Sequence, residues 1–223
     1  MAKKKAKSSG GSGLIVVIIL GAVIVVLGLI VLSGGFATPA PEVTTESLEL
    51  CNGMPCPSKG SPDAPVVVIE FSDYGCHNCR DFSLTTAPIL ERDYVDAGQV
   101  RYVSHVFSLW TESIPAAAAS LCAHEQGKYW EFHEQAFRDF QQGSFPANED
   151  FLNWAQIIGL DQASFKQCVD SGRMVYDAQV SALEGTRAGV DGTPSFFING
   201  ALLRGNVPLD EFRRTIDAAL AGQ

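Results

Sequence analysis

The segment Val66-Val67-Val68-Ile69-Glu70-Phe71-Ser72-Asp73-Tyr74-Gly75-Cys76-His77-Asn78-Cys79 decides the fold. Val66 to Phe71 is apolar apart from Glu70, as in a strand buried on both faces. Ser72 to Gly75 turns the chain, and Cys76-His77-Asn78-Cys79 opens a helical stretch to about Tyr94. A strand that feeds a helix leaves free N–H groups and a partial positive charge at the junction. Both stabilise a thiolate, so Cys76 is the predicted nucleophile. Cys79, one turn on, points inward and is placed to resolve a mixed disulfide. His77, when protonated, adds positive charge beside Cys76. A bare C-x-x-C also fits half a zinc site or an inert disulfide. Zinc needs two more ligands; His105, His124 and His133 are available, but only Cys51/Cys56 forms another close pair. The position directly after a strand favours redox chemistry.

Downstream, Val100 to Phe107 reads as a second strand. A helical region follows from about 111 to 189, with Pro115 in a first turn. Tyr129, Trp130, Phe132, His133, Ala136 and Phe137 recur at helical spacing. His124 and His133 are assigned to helix surfaces, and Trp110, Trp130 and Trp154 to core or groove. Strand character returns at Pro194 to Ile198 and Ala201 to Arg204, around the hairpin signal Asn199-Gly200. Pro208 to Leu220 closes as a helix. The order is strand, helix, strand, four or so helices, hairpin, helix: a helical block inserted into an α/β frame.

Upstream, Lys3, Lys4, Lys5 and Lys7 precede the apolar run Leu14–Leu32, 19 residues without a charge. Such a helix spans roughly 28 Å, close to a bilayer's hydrocarbon thickness. It is longer than a cleaved signal's apolar region and no clean A-x-A follows, so an uncleaved signal anchor is predicted. A buried core helix would normally keep a polar face. Residues 1–13 then form a cytoplasmic basic tail, and the rest lies outside the cytoplasm in a single-pass cell-membrane protein. Residues 33–58 read as a linker carrying Cys51 and Cys56, before a domain at 59–221. Beyond residue 41 the chain carries 12 basic and 25 acidic groups, a net −13. That excludes a basic nucleic-acid-binding face. All six cysteines follow the apolar run, where disulfides persist. Cys122 and Cys168 are candidates for a structural disulfide, two free buried thiols being the alternative. Cys51 and Cys56 are candidates for a small staple or an auxiliary redox pair.

Glu70 to Cys79, taken with Gly192-Thr193-Pro194-Ser195-Phe196, resembles the DsbA-like branch of the thioredoxin superfamily over about residues 55–221. The resemblance implies a thioredoxin-like α/β fold with an inserted helical subdomain, preceded here by a single transmembrane helix. It implies catalysis of disulfide formation in exported proteins, with Cys76 as nucleophile and Cys79 as buried resolving thiol. It implies a cis-proline loop at Thr193-Pro194 that packs on the disulfide and pairs with substrate; a trans proline opening a strand is the plain alternative. It implies neither cofactor nor metal. Reduced exported proteins would be the substrates, and a membrane quinone reductase resembling DsbB or vitamin K epoxide reductase would reoxidise the pair. Glu70 stands where the family often keeps a buried acid. A carboxylate on an apolar strand must be partnered or neutral, so a proton relay with Cys79 and a structural salt bridge both fit. One departure stands out: strongly oxidising members carry histidine just before the second cysteine, and here Asn78 holds that place. His77 and Asn78 tune thiolate stability. A reductase or isomerase of the same fold, and a non-catalytic peptide-binding chaperone, are the alternatives.

Overall fold

The computed structural model describes residues 44–139 and 144–222. The predicted anchor Leu14–Leu32 and the basic tail lie outside them. Among the described residues no helix is long and apolar enough to cross a membrane.

The central strands are the two legible in the sequence, labelled β4 (Val66–Ser72) and β5 (Val100–Val106). They run parallel, Val66 opposite Val100 through Ser72 opposite Val106. β6 (Ser195–Ile198) lies antiparallel on the other side of β4, and β7 (Ala201–Arg204) pairs with β6. Asn199 and Gly200 turn between them at φ 44° and 85°, the positive pair that a tight hairpin requires. β3 (Ser58–Lys59) adds the far edge, antiparallel to β5. A separate small hairpin pairs β1 (Leu50–Cys51) with β2 (Met54–Pro55).

Strand periodicity gives the sheet two chemically different faces. Val66, Val68 and Tyr102 meet Phe82, Phe212 and Ile216 on one. Ile69, Phe71 and Val103 meet Leu48, Cys56 and Val190 on the other. The same alternation puts Glu70 on the first face and His105 on the second. The first is covered by the helical run from α1 (His77–Asp81) through α2 (Ala87–Leu90) to Val95, and by α8 (Leu209–Ala221). Two π turns, Phe82–Thr86 and Glu91–Val95, interrupt that run.

The insertion holds α3 (Ile114–His124), α4 (Tyr129–Asp139), α5 (Asn148–Ile157), α6 (Gln162–Ser171) and α7 (Met174–Arg187). Phe132, Phe137, Phe151, Trp154 and Phe165 fill its core. Asp161 caps α6 by accepting from the Ser164 N–H at 2.8 Å, and Gly172 ends it in the left-handed conformation. A Cys122–Cys168 disulfide ties α3 to α6, with Cα atoms 5.8 Å apart. α7 lies on the second face so closely that a Cβ on Gly185 would sit 2.7 Å from Phe107 and 2.8 Å from Phe71.

Two expectations are corrected. Residues 44–58, the described part of the expected 33–58 linker, are not a free linker: Leu48 and Cys56 are 3% and 2% exposed, and β3 joins the main sheet. Two-residue strands carry no periodicity, so nothing in the sequence marked them. His133 is buried, not on a helix surface, because it lies on the apolar side of α4 beside Phe137. Trp110 is 44% exposed, whereas Trp154 is core.

Candidate active site

Cys76 is the N-cap of α1, and its sulfur accepts from the Cys79 N–H at 3.4 Å. One turn of helix therefore aims a backbone amide at the first sulfur and buries the second: Cys79 is fully buried and Cys76 is 5% exposed. Both are free thiols. The Cys76 thiol donates to the Thr193 carbonyl at 3.3 Å, bringing the loop before β6 onto the pair. The Thr193–Pro194 peptide bond is cis. Thr193 Oγ1 is buried with no acceptor or donor in place, and is free to donate to the sulfur once the thiol proton leaves.

These contacts set the acidities. The Cys79 thiol donates to the Cys76 sulfur, and Thr193 and the amides of Cys79 and Asn78 add to it. Together they outweigh burial and bring Cys76 down from 9.0 to about 6. Cys79 moves the other way, raised by burial and by the neighbouring sulfur. One sulfur is thus anionic near neutrality while the other keeps its proton. His77 is exposed, with Nε2 3.1 Å from Asp81 Oδ2, and Asn78 is exposed beside it. Among the described residues, no third ligand joins Cys76 and Cys79 in a metal-type cluster.

Asp73, read in the sequence only as part of a turn, holds this turn in place. Its Oδ1 accepts from the Gly75 N–H at 2.7 Å and its Oδ2 from the Leu109 N–H at 2.5 Å. The Asp-x-Gly spacing was the available signal, since aspartate bonds its own backbone two residues on. The second contact bridges to a loop 36 residues away and had no local signal.

Glu70 is 1% exposed. Oε2 accepts from the Tyr102 hydroxyl at 2.9 Å, and Oε1 has no hydrogen-bond partner. Burial raises its pKa to about 7, against the opposing pull of Tyr102 and of the Lys59 charge. The structural salt bridge is not formed: among the described residues Lys59 pairs with Glu91. A cavity of about 210 Å³, lined by Lys59, Glu91, Tyr102, Trp130 and His133, reaches Glu70.

The remaining cysteines form a second disulfide, Cys51–Cys56, with Cα atoms 4.9 Å apart. Together with His105 they bring three possible ligand atoms within 4.8 Å of one another, but both sulfurs are bonded to each other.

The thioredoxin family profile matches residues 56–218. The chain belongs to the thioredoxin family. A probable disulfide bond formation protein D of Bacillus anthracis is 27% identical over 170 residues, 73% of this chain and 77% of that one. Oxidised BdbD from Bacillus subtilis superposes with a TM-score of 0.68 at 24% identity, over 75% of this chain and 94% of that one. A thioredoxin-like oxidoreductase from Silicibacter pomeroyi DSS-3 gives 0.62 at 30% identity, over 73% and 91%. This thioredoxin-family chain is a DsbA-like protein-disulfide oxidoreductase with a helical insertion.

Proposed function

We propose that the chain oxidises cysteine pairs in exported proteins, with Cys76–Cys79 as the transferred disulfide. The observation that carries this direction is the helix N-terminus at the Cys76 sulfur, which accepts from the Cys79 N–H at 3.4 Å; the Cys79 thiol and that amide hold the Cys76 pKa low. A group that stabilises the thiolate stabilises the reduced enzyme, which makes the disulfide form the stronger oxidant. In the forward reaction a substrate thiolate attacks the Cys76 sulfur. The Cys76–Cys79 bond breaks, and Cys79 leaves and takes up a proton. A second substrate thiolate then attacks the substrate sulfur of the mixed disulfide and expels Cys76 as a thiolate. Two electrons pass to the enzyme and one disulfide appears in the substrate. The Thr193 carbonyl, beside the reacting sulfur, is placed to hold substrate backbone. Glu70 has no direct bond to Cys79 among the described contacts, so its role is to hold a titratable proton below the site, reached from the Lys59–Glu91 cavity.

Reoxidation falls to a quinone-linked membrane partner resembling DsbB or vitamin K epoxide reductase. The apolar run Leu14–Leu32 would keep enzyme and partner in one membrane, with the domain outside the cytoplasm. A measured potential tests the direction. The Cys76–Cys79 couple should lie well above thioredoxin's roughly −270 mV, toward the roughly −120 mV of DsbA. A value near the former would assign the chain to reduction. Cys76→Ser should abolish oxidative refolding of a reduced substrate; unchanged refolding would leave a binding role only.

A further inference from the structure

The Cys51–Cys56 disulfide lies on the sheet face opposite Glu70, and its surroundings differ from those of a sealed staple. The two sulfurs are unequal: Cys56 is 2% exposed, whereas Cys51 is only half-buried. Both line an open cleft of about 480 Å³, walled by Met54, Pro55, Leu121 and Met174. His105 lies beneath them on β5, fully buried and stacked 4.7 Å from the Phe71 ring. Its Nε2 is 2.5 Å from the Leu48 carbonyl, which can only accept, so Nε2 carries the proton. Nδ1 then accepts from Ser181 Oγ at 3.0 Å. That single N–H, engaged by the Leu48 carbonyl, also lies 3.3 Å from the Cys56 sulfur and can be shared with it, while the Cys51 sulfur lies farther from the ring, at 3.8 Å from Nδ1 and 4.0 Å from Nε2. A hydrogen-bond donor is therefore held against the buried sulfur while the other faces the cleft.

We propose that Cys51–Cys56 is a second exchange-competent disulfide, attacked at Cys51 by a peptidyl cysteine thiol and supported by His105 at the leaving sulfur. The attacking thiolate bonds to Cys51 Sγ, and the Cys51–Cys56 bond breaks. The electron pair goes to Cys56 Sγ, and the His105 N–H shifts from the Leu48 carbonyl toward the developing charge. A lower-energy leaving thiolate speeds exchange. A second thiol of the same polypeptide then attacks its own sulfur in the mixed disulfide and releases Cys51. The polypeptide is oxidised by two electrons, and Cys51 and Cys56 end as thiols. The apolar walls of the cleft suit a cysteine flanked by apolar residues. The sequence separation of five leaves a small ring that restricts the unfolded chain little, unlike the separation of 46 at Cys122–Cys168. Reduction of the small ring is therefore opposed less.

The test uses the full chain carrying Cys76→Ser and Cys79→Ser, so its outcome is independent of the pair proposed as the active site. The native protein is exposed to a reduced peptide with one cysteine between apolar residues, quenched with an alkylating agent, and mapped by mass spectrometry. Cys51–Cys56 should open at least about tenfold faster than Cys122–Cys168, the internal reference, whose two cysteines are 1% and 4% exposed. The peptide should be found on Cys51 and not on Cys56. His105→Phe should slow the step about tenfold, and His105→Gln, which keeps a donor, should recover part of it. Equal rates at the two disulfides, or peptide attached at Cys56, would overturn the proposal even if the histidine variants fail to fold.

Discussion

Two cysteine pairs, three and five residues apart in sequence, flank one sheet in opposite chemical states. Cys76 and Cys79 are free thiols at the start of a helix; Cys51 and Cys56 are bonded across a hairpin. The difference lies in what surrounds the sulfurs. At Cys76, amides at the helix N-terminus and the Cys79 thiol all favour a thiolate, so the reduced state is stabilised. At Cys56 one neutral histidine donor is offered and no helix end. The buried polar groups below each pair differ likewise. Glu70 on one face is a carboxyl kept toward its acid form; His105 on the other is an imidazole kept neutral, brought down to about 4 by burial. The spacing of two cysteines says that they can meet; the groups around them decide whether their disulfide is a reagent.

The sharpest way to break this contrast is alkylation of the reduced active pair. Cys76 should react at least about 10²-fold faster than Cys79 at pH 7, with a half-maximal rate near pH 6. Equal rates would remove the asymmetry on which the proposed mechanism stands.

Stability measurements separate the two disulfides. In the chain-entropy description, a loop of 46 residues contributes about 4 kcal/mol and the small ring about 2. Urea titration should therefore show the Cys122→Ala, Cys168→Ala double variant losing about twice as much as Cys51→Ala, Cys56→Ala. A larger loss from the second would mean that the hairpin's packing over His105 outweighs its ring.

The two faces also predict opposite pH slopes. Glu70 has a raised folded value, so its stabilisation is complete below pH 4.5 and is lost as pH rises through about 7. His105 has a lowered folded value. Its neutral form is matched above pH 6.5, and stability is lost as pH falls toward about 4. His133 acts in the same sense as His105, lowered by burial to about 3. Glu70→Gln removes one arm only. Its stability relative to the parent should rise between pH 4.5 and 7 by about 3 kcal/mol. A flat difference would place a bound cation or a missing hydrogen bond at Oε1.

The smallest effects compare two glycines. Gly185→Ala presses a methyl onto Phe71 and Phe107, both held in the core, and should cost about 1–3 kcal/mol. At Gly75 the obstructing ring is Phe145, 36% exposed and able to swing aside. Gly75→Ala should therefore cost less than about 1 kcal/mol in thermal unfolding.

Much of this was readable where local chemistry is strong. The apolar runs at Val66 and Val100, the Asn199-Gly200 turn and the strand-to-helix position of Cys76 all act through neighbours a few residues away. Asp73 was half readable: its bond to Gly75 is local, its bond to Leu109 is not. Tyr102 was read only as a strand residue, because nothing in one sequence says that β5 lies beside β4 in the register that sets Val68 opposite Tyr102 and its hydroxyl on Glu70. His105 was read only as a spare ligand. Alternation places it on the second face, but which residues cover that face depends on a hairpin 50 residues upstream whose strands are two residues long.

The sequence by itself determined the strand-to-helix frame that presents Cys76 and Cys79, because a helix start after a buried strand acts on a cysteine within one turn. It also determined that Glu70 would be burdened by burial, since a lone acid on an apolar strand has nowhere to go. Only the tertiary structure decided which groups share those burdens. Thr193 reaches Cys76 across 117 residues, Tyr102 reaches Glu70 across 32, and His105 meets Cys56 across 49. Contacts of that span arise from sheet register and from the packing of the insertion. They are properties of the closed core, set by the summed burial of many side chains and encoded at no one position.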